Sequence, residues 1–350
     1  MSIPMIQLED SVSLLTEALD EEGNALVAQK DTCLTVEGHW SGVRGCIQLQ
    51  NGLICSASHD KTLRIFLDPR RKDVDFHPEQ ILRGHLSSVY AVIQLQDGRI
   101  CSAGEDKSIK LWNPDTLWTV GQCAKTMRNH TQAVTALVQL SDGRLFSASE
   151  DKTCKVWDLA SYSCAGTCAG HGKAVLGVCQ LSNSHLCSAS ADMMIKIWHP
   201  HSYSVLETLS LGGHTGPVNC VLQLSDGRIA SCSSDATIKL WNHTKARCED
   251  TFMGHWTAIY RLIQLQDGRL ASCGDDNVVK VWDVVTFKKK NIATPDDHCL
   301  LTLHGHKSRV WDVTQLQDGR LCSASQDNTI KIWDFDVTSL AALPLQALRA

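Results

Sequence analysis

Residues 315–334 read QLQDGRLCSASQDNTIKIWD, and the same twenty-residue pattern returns along the chain. It recurs as QLQDGRICSAGEDKSIKLWN at 94–113, QLSDGRLFSASEDKTCKVWD at 139–158 and QLSNSHLCSASADMMIKIWH at 180–199. Two further copies are QLSDGRIASCSSDATIKLWN at 223–242 and QLQDGRLASCGDDNVVKVWD at 264–283, and a weaker one, QLQNGLICSASHDKTLRIFL, opens the series at 48. Seven registered copies mean one supersecondary unit used seven times, stacked so that neighbours bury each other's apolar faces.

Each copy follows a histidine: His39, His85, His130, His171, His214, His255 and His306. An aspartate stands 21 residues later in every copy (Asp60, Asp106, Asp151, Asp192, Asp235, Asp276, Asp327), with a serine four residues before it. Six residues after the aspartate comes Phe66 in the first copy and Trp112, Trp157, Trp198, Trp241, Trp282 or Trp333 in the others. The histidines are 46, 45, 41, 43, 41 and 51 residues apart, so the His-to-Trp span of 27 is constant and the variation falls in the connectors. Within a unit, short alternating runs rich in β-branched residues are separated by Asp-Gly and Asp-Xaa turns, which predicts a meander of strands. A further strand precedes each corner, as at Gln80–Leu82, Val205–Leu209, Thr251–Phe252 and Cys299–Leu303. Four strands in each of seven units predict an all-β, seven-bladed propeller of four-stranded antiparallel blades.

The Gly-His corner and the Trp-Asp dipeptide at this spacing resemble the WD40 (WD-repeat) family over residues 31–334. The resemblance implies that Thr32–Val36 closes the ring as the outer strand of the seventh blade. It also implies that each His, Ser, Asp and Trp form a buried hydrogen-bond chain: Trp to Ser, Ser to His, His to Asp. Buried polar groups cost several kcal/mol unless so paired, about 2–7 by transfer measurements. Seven identical sets in one chain point to structure rather than catalysis. Phe66 breaks the chain in the first blade, and Asn129 replaces the corner glycine of the third, where tolerance of a left-handed backbone is expected to make the change cheap.

Composition narrows the functional classes. Lys+Arg 33 against Asp+Glu 38 gives a net charge of -5 and no basic stripe for nucleic acid. No apolar run is long enough for a membrane-spanning helix, and the amino terminus lacks a secretory pattern. Sixteen cysteines include no CxxC pair. Those at 55, 101, 187 and 322 share a repeat position with Phe146, Ala230 and Ala271, which reads as core packing in a reducing compartment. A cytoplasmic chain is expected, with the nucleus as the alternative. Gly170-His171-Gly172-Lys173 lacks the first glycine and the hydroxyl of a phosphate loop. His199/His201 and His304/His306 lack the further ligands of a metal site, so no metal or cofactor is expected.

The expected organisation is an acidic segment at 1–30 with a short helix, a propeller at 31–340 and a tail at 341–350. Basic runs at Arg70–Lys72 and Lys288–Lys290 in the connectors read as solvated loops.

The residue four after each histidine is apolar throughout, from Val43 to Val310, and is read as core. Alternation then turns the residues three and five after the histidine the other way. By the family resemblance these, with the residue before each aspartate, line the rim of the central channel. The positions singled out as a protein-binding rim are Arg44, His59, Tyr90, Glu105, Glu150, Tyr260, Asp275, Arg309, Trp311 and Gln326. Tyr, Trp and Arg dominate interface energetics, and here they fall on the sixth, seventh, first and second units. The expected function is a non-enzymatic scaffold that assembles a multiprotein complex by gripping proteins or peptide segments, with no small-molecule substrate. A partner with a basic residue toward Glu105 and Glu150 and an apolar anchor near Trp311 fits. The alternatives are a substrate receptor of a ubiquitin ligase, weakened because no unit ends in Trp-Asp-x-Arg, and a hydrolase using Glu105, Glu150 or Asp275 as paired carboxylates.

Overall fold

The computed structural model describes residues 32–68, 80–113, 123–210, 213–242, 245–284 and 298–334. The short N-terminal helix and both basic runs expected from the sequence lie outside the described residues.

Seven four-stranded antiparallel sheets account for the described chain. The third is typical: Val134–Gln139, Leu145–Ser149, Thr153–Asp158 and Ser163–Ala169 pair in that order as strands a to d. The first strand of every blade packs on the first strand of the next, and that of the seventh (Val310–Gln315) packs on that of the first (Val43–Gln48), so the strands form a closed ring. Thr32–Val36 pairs antiparallel with Ile330–Asp334 and is the outer strand of the seventh blade. Both ends of the described chain therefore share one sheet, in which Thr32–Val36 covers the edge that Ile330–Asp334 would otherwise expose.

Strand b is buried along its whole length in every blade, because both its faces are covered by neighbouring blades. The Trp of one blade enters the core of the preceding one: Trp157 packs with Leu95, Cys101, Ile109 and Met127 of the second blade. Cys55, Cys101, Cys187 and Cys322 are fully buried, each reading as a small hydrophobe.

The polar quartet forms as the resemblance implied. In all seven blades the His Nδ1–H donates to Asp at 2.7–2.9 Å and the Ser hydroxyl lies 2.7–2.8 Å from His Nε2. In the six blades that carry Trp, its indole N–H donates to that Ser at 2.7–2.8 Å. The Asp also holds its turn. The next residue takes a left-handed φ of 63–72° in every blade, even as Lys, Met or Ala. The Asp carboxylate then accepts the backbone N–H one residue further on, as at Thr62, Thr153 and Thr329. In five blades that residue is Ser or Thr and adds a hydroxyl donor at 2.6–2.7 Å. Val278 stands there in the sixth blade, and Asp276 Oδ1 is buried without a partner. Val278→Thr should supply the missing donor and stabilise the protein by about 1 kcal/mol, read as a raised urea midpoint with an unchanged slope.

Asn129 is accommodated differently from the sequence expectation. It is absent from the described residues of positive φ, and the corner glycines that do have positive φ lie at 138–156°, outside the left-handed helical well. The corner at 129 follows a backbone path open to any residue, so left-handed tolerance is not what admits the asparagine.

At the opposite end from the histidines, the Gln that opens each Gln-Leu turn (QLxDG in five blades, QLQNG in the first and QLSNS in the fourth) links the blades. Its side-chain carbonyl accepts a backbone N–H from the turn of the preceding blade at 2.6–2.8 Å in all seven cases. Its amide donates to its own turn, as Gln315 does to Gly319 at 3.0 Å. The circuit closes where Gln317 N–H meets Gln48 Oε1, beside the Arg320–Asp68 ion pair that also joins the seventh blade to the first. Gln48→Ala removes this bond at the seam and should cost about 1 kcal/mol. The same substitution checked by chemical denaturation at Gln180 should cost a similar amount, since the contact is repeated.

Candidate functional site

Strand a carries a β-bulge in every blade. Its pairing with strand b skips one residue, so Val43 pairs with Ser58 and Gly45 with Ala57 while Arg44 has no partner opposite. The same skip occurs at Tyr90, Thr135, Leu176, Asn219, Tyr260 and Trp311. A bulge re-aims the extra side chain, and all seven line one central cavity of about 720 Å³. Simple alternation named the right residues five after the histidine but treated those at three as their equals. The latter, from Gly42 to Arg309, are not part of the lining. Instead their carbonyls accept the N–H of the residue before the aspartate, as Gly42 does from His59 and Arg309 from Gln326, both at 2.9 Å.

Of the ten rim positions, Arg44, His59, Tyr90, Glu150, Tyr260 and Trp311 line the cavity. Glu105, Asp275, Arg309 and Gln326 stand outside that lining, at the ends of the same strand pairs.

The aromatic and arginine residues meet across three blade boundaries. The Tyr260 and Trp311 rings lie 4.4 Å apart. The Arg44 guanidinium sits 3.8 Å from the Trp311 ring centre and 4.7 Å from that of Tyr90, and Arg309 approaches Trp311 at 5.4 Å. Trp311 is further fixed by its indole N–H, which donates to Gln326 Oε1 at 3.1 Å. Gly42 makes room for that Gln326 side chain, since a Cβ there would fall 2.6 Å from Oε1. Beyond Tyr90, the His59 ring follows at 6.0 Å.

The charges are arranged to be mutually satisfied at two points. Arg309 pairs with Asp275 at 3.0 Å. Arg261 pairs with Asp312 at 3.0 Å inside the cavity. Burial pushes the Asp312 carboxyl up, while Arg261 and the amides of Cys46 and Val313 pull it back. This second pair escaped the sequence reading. Its signal was the residue six after the histidine, small in the first four units and charged only as Arg261 and Asp312.

Two of the three carboxylates named for a hydrolase are engaged elsewhere, and the third, Glu150, lines the cavity without a carboxylate partner among them. Asp275 faces Arg309, and Glu105 accepts a 2.6 Å hydrogen bond from Ser87 that helps hold it below the usual range. A general acid needs the opposite shift.

A second ring of positions lies further out. The residue after each histidine donates its backbone N–H to the aspartate of its own blade, which places all seven equivalently. On the sixth, first and second blades it is Trp256, Trp40 and Leu86, exposed by 86%, 81% and 70%. Lys307 stands between them on the seventh, and the remaining blades carry Thr131, Gly172 and Thr215. The sequence reading missed this outer set, although the alternation of large apolar and small residues one after the histidine was visible.

Comparison with known proteins agrees with this architecture. The family model described as "WD domain, G-beta repeat" matches residues 31–66, 76–113, 121–158, 162–199, 205–242, 246–283 and 297–334. Among solved structures, the WD40 β-propeller domain of Doa1 is similar, with a TM-score of 0.74 and 25% identity over 87% of this chain and 96% of that one. A search of curated proteins found none that matches. The chain belongs to the WD-repeat family, whose propellers typically serve as protein-interaction scaffolds and are generally non-catalytic.

Proposed function

We propose that this propeller holds a protein partner on the histidine face, over the arc formed by the sixth, seventh, first and second blades. One observation carries the reading: in two rings of positions every aromatic side chain falls on that arc, together with the long cationic ones, and the other blades carry none. The inner ring gives Tyr260, Trp311, Arg44 and Tyr90 against Thr135, Leu176 and Asn219. The outer ring gives Trp256, Lys307, Trp40 and Leu86 against Thr131, Gly172 and Thr215. Exposed aromatic clusters rimmed by polar groups are typical of interaction sites. Other exposed apolar side chains, such as Met193 and Leu206, belong to the fourth blade and continue neither ring.

The sixteen thiols are all free, which supports a reducing compartment and, as the simplest case, the cytoplasm. Among the described residues no helix is long and apolar enough to cross a membrane. The finer role, complex assembly or substrate capture for a ubiquitin ligase, follows from what the arc retains.

Affinity capture from native lysate tests the reading when three proteins of equal thermal stability are compared. Trp40→Ser/Trp256→Ser should lose the partners that wild type holds, and Thr131→Ala/Thr215→Ala should keep them. Equal loss from both variants, or from neither, would remove the arc as the binding face.

A further inference from the structure

We propose that Arg44 is a receptor for a partner's aspartate or glutamate side chain, so that the occupant of the arc is an acidic peptide segment with apolar residues beside the acid. The proposal rests on the arc being a docking face and adds the chemistry it selects.

The space between the Trp311 and Tyr90 rings is one that a cationic side chain would favour. Here the protein's own Arg44 already fills it, at 3.8 Å and 4.7 Å from the two ring centres. A partner's lysine or arginine finds that position taken. Stacking uses the faces of the guanidinium and leaves its edges, which carry five N–H donors in a fixed fork suited to a carboxylate. Among the described residues those donors make no hydrogen bond and no ion pair. The neighbouring arginines differ, since Arg309 is neutralised by Asp275 and Arg261 by Asp312. Burial works against the charge of Arg44, and an arriving anion offsets that cost. His59, beside Tyr90, has a second vacancy: its Nε2 is buried without a hydrogen-bond partner.

The charge balance selects a carboxylate over a phosphate. Glu150 lines the same cavity with no hydrogen bond or ion pair to its carboxylate among the described residues, and Asp312 is already matched. Glu150 repels any arriving anion in proportion to its charge, so a carboxylate with one charge meets less repulsion beside Arg44 than a phosphate with nearly two. The apolar neighbours in the peptide would meet Trp40, Leu86 and Trp256, which are exposed on the first, second and sixth blades.

The test uses an array of nine-residue peptides with random apolar and small flanks and a central Asp, Glu, phosphoserine, Arg, Lys or Ala. The full-length protein is applied as wild type, Arg44→Gln, Arg44→Lys and Trp40→Ser/Trp256→Ser, each shown folded by circular dichroism. A charge-assisted pair corresponds to about a tenfold preference or more. Wild type should therefore retain Asp- and Glu-centred peptides at least that much over the Arg, Lys and Ala versions. Arg44→Gln should erase the preference while still retaining apolar peptides weakly, and Arg44→Lys should keep only part of it, having lost the fork. A wild-type preference for Arg, Lys or phosphoserine, or an acid preference that survives Arg44→Gln, overturns the assignment of Arg44 and leaves the docking face standing. Peptides held equally by wild type and the double Trp variant, or held by neither, overturn the face and the receptor together.

Discussion

Asp151→Ala is expected to destabilise the propeller by about 3–5 kcal/mol, the range for removing one partner of a buried polar pair. The carboxylate accepts four hydrogen bonds: from His130 Nδ1 at 2.7 Å, Thr131 N at 3.0 Å, Thr153 N at 3.0 Å and the Thr153 hydroxyl at 2.6 Å. Truncation leaves the fully buried His130 ring with an unmatched N–H and frees a turn whose next residue, Lys152, is held at a φ of 71°. Asp276→Ala should cost clearly less, because Asp276 Oδ1 is unpartnered and Oδ2 has, beside its 2.7 Å bond from His255, only a 3.4 Å contact from Trp256 N.

The pH dependence has a defined sign. Burial alone would raise the Asp151 carboxyl, but hydrogen bonds from His130 and Thr153 outweigh it and hold the group far below its ordinary value. A depressed folded value means the stabilisation is present above the unfolded pKa, near 4, and is lost as pH falls below it. The gap in unfolding free energy between wild type and Asp151→Ala should therefore narrow between pH 5 and pH 2.5. His171, His255 and His306 add in the same direction. Burial holds them below the ordinary histidine value, so the unfolded chain takes up protons first as pH drops through about 6.5. A gap that widens in acid would mean the Asp is protonated in the folded state.

Trp157→Ala should cost about 3–5 kcal/mol through the cavity it opens. Only 1% of Trp157 is exposed, and it fills the boundary between the second and third blades against Leu95, Ile109 and Met127. Its N–H also donates to Ser147 at 2.8 Å. Trp157→Phe separates the two contributions, because it keeps most of the volume and removes only the donor. Urea denaturation should place the Phe variant within about 1.5 kcal/mol of wild type. The first blade already carries that state naturally, with Phe66 buried and packed edge-on to His39 at 6.2 Å. Equal losses for Ala and Phe would mean that the hydrogen bond matters more than the packing.

The architecture was legible because each unit repeats a polar quartet at fixed spacing, and buried His, Ser and Asp have few other ways to be satisfied. The positions on the first strands that line the cavity were legible as a set, but their geometry was not. A two-residue alternation cannot reveal a bulge, which is why Gly42 and Arg44 looked equivalent although only Arg44 lines the cavity. The Arg44–Trp311 stack joins residues from the first and last units, and nothing local in either segment encodes it. The Gln circuit was hidden for a different reason. A glutamine before an Asp-Gly turn reads as an ordinary polar turn residue until the neighbouring blade is placed beside it. Asn129 shows the reverse error: a general rule about turn residues was applied to a corner whose backbone does not need it.

The central claim is that partners meet the arc of the sixth, seventh, first and second blades, and site-specific photo-crosslinking tests it most directly. Benzoylphenylalanine placed singly at positions 40, 256, 131 and 215 keeps the register constant, since each backbone N–H bonds to the aspartate of its own blade. Irradiation in lysate should give discrete adducts from positions 40 and 256 and none from 131 and 215. Adducts spread evenly over the four positions, or confined to 131 and 215, would contradict the account.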